Sequence, residues 1–337
     1  MDPVYLALGV LLLVIAVVDL TWTTLWVEGG AGPLTSRLMS WTWRALRGVA
    51  GRNSRILSLA GPLIFAISLS VWIALLWGGW TLVFAGAEGA LVDTLDRGSV
   101  SWIDRVYFTG YAIFTLGNGD FVPHGDVWQL ATGLTTASGM LFVTLIVTYV
   151  LSVLDAVTQK RSFAIGVSGL GTHGEGIVRA GWTGEEFRGL DLPLNTSTTQ
   201  LNSLTSNHKA YPILHYFHTT RADHAPVGRI AALDEALTLL RFGVPGSERP
   251  NDLLVQNARS SVRNYLDILD SALIEAADRS PPSPELDSLR DAGVPTVPDE
   301  EFDAALEELD ERRRTLLGLV EPDAREWSSS RPNREGN

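Results

Sequence analysis

Residues 115–120 read Thr115-Leu116-Gly117-Asn118-Gly119-Asp120, and they lie between two long apolar runs, directly after a short amphipathic pattern. A cation that enters a narrow pore needs oxygen atoms to replace its water, and consecutive backbone carbonyls can supply them. Such a ribbon needs positive φ at alternate positions, which residues with a Cβ resist and which Gly117 and Gly119 adopt at little cost. The stretch therefore predicts a row of carbonyls able to coordinate a cation.

Three apolar stretches are each long enough to cross a bilayer, which takes about 20 residues. They are residues 3–27, 56–83 and 127–154. Their only charge is Asp19, in the first stretch. Arginines cluster between the first two stretches, and Lys160 and Arg161 follow the third, so both flanks are predicted to be cytoplasmic. The amino terminus and residues 115–120 are then expected outside, in a multi-pass protein of the cell membrane.

The chain has 337 residues, no cysteine and a net charge of -12. This length suits one membrane module and one soluble domain, and the lack of cysteine excludes disulfides and thiolate metal sites. The acidic balance argues against nucleic acid as a partner. We predict four parts, an N-terminal span with an interfacial helix, a pore domain, a cytoplasmic helical domain and a disordered tail, over residues 1–53, 54–160, 161–320 and 321–337.

Local patterns predict the elements around the ribbon. Residues 34–49 have arginines on one helical face and apolar residues on the other, as in a helix on the inner membrane surface. Ser101 and Asp104 are spaced as a capping box that opens a helix over residues 102–114. This helix is too short to span, and a backbone that ends at membrane depth must line water or be buried in protein. The soluble part lacks strand alternation and favours helices over residues 226–242, 251–277 and 299–320.

These features together resemble the pore module of the tetrameric potassium channel family, in its two-transmembrane bacterial form with one extra span in front. The likeness covers roughly residues 56–158. The sequence Phe121-Val122-Pro123 is similar to the hydrophobic-Val-Pro that commonly follows the filter in this family. Gly139 lies 20 residues past Gly119, where the family has the hinge glycine of its inner helix. The resemblance implies a membrane all-α fold with a re-entrant pore helix.

The resemblance also implies the roles of individual residues. It makes the selectivity filter Thr115, Leu116, Gly117, Asn118, Gly119 and Asp120, with potassium passing at the carbonyls of the first four. Filter support would come from Tyr107, Phe108 and Tyr111, and a gating hinge from Gly139. Transport would be passive, so no catalytic residue, no cofactor and no metal beyond the permeant potassium are expected. The expected partners are three further copies of the chain and membrane lipids, and a cytoplasmic ligand is left open.

Three departures from the family pattern keep a second interpretation open. Phe114 stands where a second threonine usually precedes Thr115, Tyr111 stands where many bacterial members have a carboxylate behind the filter, and Asn118 replaces the usual aromatic residue. A weakly selective cation channel on the same scaffold is therefore the alternative. Asn118 can still donate a hydrogen bond to the hydroxyl of Tyr107 or Tyr111.

A minor alternative is a membrane-anchored nucleotide-binding sensor or enzyme. Residues 169–174 match the dinucleotide-binding pattern by letter. That mechanism needs a strand before the glycines and a second strand that ends in an acid, and neither is evident.

Several charged residues have a structural and a functional interpretation. Asp19 is expected to pair with Arg52 or Arg55, or else to take part in gating. His215 and His218 belong, with His208 and His224, to a cluster that either caps and packs or senses protons or a metal. The acidic stretch 299–311 favours an exposed helix with pairs such as Glu308 with Arg312.

Overall fold

The computed structural model describes residues 2–26, 29–50, 54–95, 98–219, 221, 225–270, 276–321 and 327. It is mostly helical, as predicted, and three helical segments are long and apolar enough to cross a membrane: Pro3–Leu25, Arg55–Ala85 and Asp126–Leu170. The chain forms two compact units. Unit 1 comprises residues 1–45, 61–154 and 210–213, and unit 2 comprises residues 46–60, 155–209 and 214–337.

The helices follow one another along the chain with two short strands between the fourth and the sixth. They are α1 (Pro3–Leu25), α2 (Pro33–Ala50), α3 (Ser54–Leu57), α4 (Ala60–Ala85), α5 (Trp102–Ile113), α6 (Asp126–Leu170), α7 (Gly174–Gly181), α8 (Asp191–Ala210), α9 (Pro226–Thr238), α10 (Asp252–Asp270), α11 (Asp287–Arg290), α12 (Asp299–Glu308) and α13 (Asp310–Val320). The strands β1 (Leu91–Asp93) and β2 (Phe121–Pro123) pair antiparallel.

Local capping fixes the start of two helices in unit 1. Asp2 accepts a hydrogen bond from the amide of Val4 at 3.0 Å, and Pro3 opens α1 with a φ already suited to a helix. The predicted capping box of α5 is confirmed, because Ser101 accepts from the amide of Asp104 while Asp104 accepts from the amide of Ser101.

Helix α1 lies directly against α4. A Cβ on Gly9 would come within 2.7 Å of the Gly79 carbonyl oxygen, and one on Gly79 within 2.8 Å of the Leu13 Cγ. Small residues permit this backbone approach, which is the usual way for apolar helices to associate in lipid. The N-terminal helix is thus part of the same unit as the segment that carries residues 115–120.

Asp19 joins three helices of unit 1, although it lies inside an apolar span. Its carboxylate is buried and accepts hydrogen bonds from the amide of Leu34 at 2.8 Å and from the hydroxyl of Thr35 at 2.5 Å. The indole Nε1 of Trp72 in α4 donates to it at 2.8 Å. A carboxylate at a helix N-terminus is favourable, so Asp19 caps α2 from α1. These donors are uncharged, which differs from the predicted arginine pair; Arg52 lies outside the described residues.

Unit 2 is built around α9, whose residues are nearly all buried. Its described part contains no strand, in agreement with the predicted all-α class. The predicted helix 226–242 is present as α9 followed by a π-helical turn at Leu239–Gly243. The predicted helix 251–277 is present as α10 up to Asp270; residues 271–275 lie outside the described part, and residues 276–277 are not helical. The turn predicted at residues 51–53 and nearly all of the predicted disordered tail also lie outside it.

The predicted single helix 299–320 is wrong, because the chain leaves helical geometry at Leu309 and continues as α13. Arg312 is predicted from its spacing to form an exposed pair with Glu308. It instead forms a buried ion pair with Asp234 of α9, with a nitrogen–oxygen distance of 2.5 Å. Arg313 donates to the carbonyl of Pro282 at 2.7 Å. These contacts with distant segments fix the direction of α13, and a pattern based on spacing within one helix cannot detect them.

Candidate pore-lining site

The ribbon has the alternating backbone that its sequence predicts. Thr115, Gly117 and Gly119 have φ values of 58°, 60° and 81°. No atom lies within 4 Å of a Cβ built on either glycine, so conformation rather than space requires glycine there. Thr115 is the notable member, since a β-branched residue seldom adopts positive φ. Such an outlier persists only where its surroundings hold it.

Hydrogen bonds to the end of α5 hold the entrance of the ribbon. The amide of Leu116 donates to the carbonyl of Tyr111 at 2.8 Å, and the amide of Phe114 donates to that of Gly110 at 3.0 Å. The ribbon therefore starts at the carbonyl end of α5, which carries about half a negative elementary charge. That end favours a cation beside it.

Helices α4 and α6 hold α5 in place. The indole of Trp77 donates to the carbonyl of Val106 at 2.8 Å, and its ring lies so close to Gly110 that a Cβ there would come within 2.6 Å. From α6, the hydroxyl of Thr136 donates to the carbonyl of Ala112 at 3.0 Å. Trp77 and Thr136 were not among the predicted support residues, since contacts between distant helices leave no local pattern.

Gly139 lies at the closest approach between α6 and α5. A Cβ on Gly139 would come within 2.2 Å of the carbonyl oxygen of Ile113, the last residue of α5. Glycine is thus needed here for packing. The predicted hinge role is a separate property of this residue and stays a prediction.

The three predicted support residues contact different parts of the site. Tyr107 accepts a hydrogen bond from the side-chain amide of Asn118, which is one of the two bonds predicted for that amide. The hydroxyl of Tyr111 donates to the carbonyl of Phe121, just past the ribbon. Phe108 is 1% exposed and packs edge-on against Phe84 of α4, with ring centroids 4.9 Å apart. Tyr107 thus contacts the ribbon through its side chain, and Tyr111 contacts it through its backbone carbonyl.

A residue that the sequence did not single out contacts the outer end of the ribbon. Thr94 follows β1, and its amide donates to the carbonyl of Asp120 at 2.9 Å. Its hydroxyl lies 2.9 Å from the Asp120 carbonyl oxygen and 3.1 Å from that of Gly119. Strands of three residues are too short to predict from alternation, so this contact carried no sequence signal.

Most of the ribbon is exposed in the single chain. Leu116 is 68% exposed and its neighbour Phe114 is 40% exposed. One chain supplies one row of carbonyls, which cannot surround an ion. The arrangement is suited to cation coordination only when several copies place their ribbons around a common axis.

Unit 2 does not have the geometry of a nucleotide site at residues 169–174. Gly169 and the residues before it belong to α6, where the dinucleotide pattern requires a strand, and Gly174 begins the short helix α7. The minor alternative of a nucleotide-binding sensor or enzyme therefore has no support from this loop.

The described histidines of the predicted cluster have different surroundings. His208 is buried, and this burial together with the charge of Lys160 lowers its pKa to about 3. His208 is therefore neutral at physiological pH. The rings of His215 and His218 lie near each other, with centroids 6.4 Å apart, and His224 lies outside the described residues. Among the residues that are described, no group of three or more metal-ligating side chains occurs.

Two buried carboxyl groups meet in the core of unit 2. Glu235 of α9 lies beside Glu175 of α7, and it accepts a hydrogen bond from the indole of Trp327 at 3.3 Å. Burial, and then the charge of Glu175, raises the pKa of Glu235 to about 8. Glu175 in turn accepts from the amide of Glu285 at 3.1 Å. This pair was not predicted, because its members are 60 positions apart in the chain.

Comparison with known proteins agrees with this geometry. A family model described as "Ion channel" matches residues 64–156, which include α5, the ribbon and β2. The chain is 43% identical over 327 residues to the "Uncharacterized membrane protein YdjJ" of Bacillus subtilis (strain 168), an alignment that covers 97% of this chain and 96% of the relative. No solved structure matches the chain.

Proposed function

Because this chain belongs to the ion channel family with a pore domain of the two-transmembrane potassium-channel type, we propose that four copies form a potassium-selective pore. The observation that carries the proposal is the ribbon at residues 115–120, with positive φ at every second position and its start at the carbonyl end of α5. Four such ribbons around one axis would replace the water of a dehydrated cation. Conduction is passive and uses no catalytic residue.

The proposed location is the cell membrane, with the amino terminus outside and unit 2 in the cytoplasm. This orientation follows from the arginines of residues 37–55 and from Arg161, because basic residues beside spans stay on the inner side. The arginine-bearing face of α2 would then meet lipid headgroups of the inner leaflet.

Potassium flux from liposomes that hold the purified protein tests the proposal. Gly117→Ala should abolish the flux, since alanine resists the φ of 60° at this position. Gly293→Ala is the matched control, because it imposes the same kind of strain at a φ of 76° in unit 2. A monomeric or dimeric mass in mild detergent with intact flux would refute the four-fold assembly, and equal flux in both variants would refute the pore assignment.

Asn118 favours a second candidate, a weakly selective cation channel. The side chain makes one hydrogen bond to Tyr107 where an aromatic ring would supply packing area. Reversal potentials under mixed potassium and sodium gradients separate the two candidates. A potential that follows the potassium gradient supports selectivity, and one between the two gradients supports the alternative.

A further inference from the structure

We propose that Thr94 is a specificity-determining residue of the pore, which fixes the outer end of the carbonyl ribbon and limits the ion-coordinating row to residues 115–118. This inference rests on the proposed ion conduction and assigns a role to a residue outside the filter sequence. Thr94 touches the backbone of Gly119 and Asp120 and acts through it, so it is a positioning residue.

The strand pair places Thr94 opposite the end of the ribbon. Its register pairs Leu91 with Pro123 and Asp93 with Phe121, so the next residue of the first strand faces the residue before the second. The pairing extends in that direction, because the amide of Thr94 donates to the carbonyl of Asp120 at 2.9 Å. The register that orders this segment therefore also sets the position of the ribbon's last peptide groups.

The hydroxyl of Thr94 adds a contact that a backbone alone cannot make. It has one proton and two carbonyl oxygens within reach, those of Gly119 at 3.1 Å and of Asp120 at 2.9 Å. The Asp120 carbonyl already accepts a hydrogen bond from the amide of Thr94. The hydroxyl proton is therefore the one that Thr94 can donate to the carbonyl of Gly119. A carbonyl that accepts this bond is held in one direction. Its oxygen, which carries the partial negative charge, is then already hydrogen-bonded to the hydroxyl.

Hydrogen bonding changes abruptly along the ribbon. The carbonyls of Gly119, Asp120 and Phe121 accept bonds, from Thr94 for the first two and from Tyr111 for the third. Among the residues that the structure describes, no donor contacts the carbonyls of residues 115–118. Carbonyls without a protein donor are the ones available to a cation. The first carbonyl of the ribbon that accepts a hydrogen bond is that of Gly119, and its donor is Thr94.

Thr94→Val removes the hydroxyl and keeps the shape and the amide, whereas Thr94→Ser keeps the hydroxyl. We expect the potassium-to-sodium permeability ratio of Thr94→Val to fall about fivefold, the factor for one ordinary hydrogen bond. With potassium alone on one side and sodium alone on the other, this corresponds to a reversal-potential shift of about 40 mV toward the sodium value, at about 59 mV per tenfold change. Thr94→Ser should keep a ratio close to that of the wild type.

Thr196→Val is the matched control, since the hydroxyl of Thr196 donates to a backbone carbonyl within α8 at 2.9 Å, far from the ribbon in sequence. A ratio for Thr94→Val equal to that of the wild type, or a fall in Thr94→Ser as large as in Thr94→Val, would overturn the inference. Thr94→Ala provides the same comparison if the valine variant does not assemble. A wild type that does not discriminate between the ions would instead overturn the proposed selectivity.

Discussion

Replacing Gly139 by alanine is expected to push α6 away from the end of α5. The new Cβ would lie 2.2 Å from the carbonyl oxygen of Ile113 and 2.9 Å from its Cα, and ordinary contact begins at 3.4 Å. Both of these atoms belong to the backbone of Ile113, so the two backbones must separate by about 1.2 Å. Overpacking of this kind costs about 1–3 kcal/mol.

The gain in helix propensity opposes this cost. Alanine is favoured over glycine in a helix by about 0.5–1 kcal/mol, so Gly139→Ala should lose up to about 2.5 kcal/mol of stability on balance. Gly133→Ala, in the same helix, has the same gain in helix propensity. A Cβ at this position would have no atom of the chain within 4 Å. The two variants thus separate stiffening of α6 from displacement of α5.

Thermal unfolding in detergent and potassium flux from liposomes are the two assays. Gly139→Ala should unfold at a lower temperature than the wild type and conduct less, because Ile113 lies two residues before the strained Thr115. Gly133→Ala should unfold at the same temperature or a higher one. If both variants behave alike in both assays, the contact argument fails. Altered gating in Gly139→Ala with unchanged stability would instead support the hinge.

Three further substitutions test other parts of the chain. Asp19→Asn places an amide donor beside groups that already donate hydrogen bonds, so the free energy of unfolding in detergent should fall by about 1–3 kcal/mol. Asp155→Asn is the control, and it should change the free energy of unfolding little because that carboxylate is exposed. Asn118→Tyr should raise the potassium-to-sodium ratio if a braced filter width sets selectivity, and reversal potentials that do not move would favour carbonyl number and strength instead. The raised pKa of Glu235 means that its neutral form is favoured in the folded state, so stability should fall as pH rises from about 4.5 to about 8. Glu235→Gln should flatten this fall, and an unchanged slope would contradict the assignment.

The elements that the sequence predicted are those with local signals. The three spans follow from length and apolar content, the start of α5 from the spacing of Ser101 and Asp104, and the ribbon from its glycines. The hydrogen bond of Asn118 to Tyr107 was one of two predicted, because side-chain chemistry limits the choices of an amide.

The missed elements depend on distant parts of the chain or run against local propensity. Helix α8 is rich in Ser, Thr and Asn, which are poor helix formers, yet several of these hydroxyls donate to the carbonyl four residues earlier, as Thr198 does to Leu194 at 2.7 Å. Burial of Leu194, Leu201 and Leu204 in the core of unit 2 overrides the propensity. The contact of Thr94 with Gly119 joins residues 25 positions apart and depends on the register of β1 and β2.

The loss of an aromatic residue at position 118 changes how the ribbon is held. An aromatic ring would hold the ribbon by packing against its neighbours. Packing restrains the distances between groups but tolerates rotation of a peptide group. Here three hydroxyl groups take part, those of Tyr107, Tyr111 and Thr94, and hydrogen bonds weaken steeply with angle. Two of the three bind backbone carbonyls just past residue 118, so they restrain the direction of peptide groups more than the width of the pore. Selectivity in this protein should then depend on carbonyl orientation at the outer end of the ribbon.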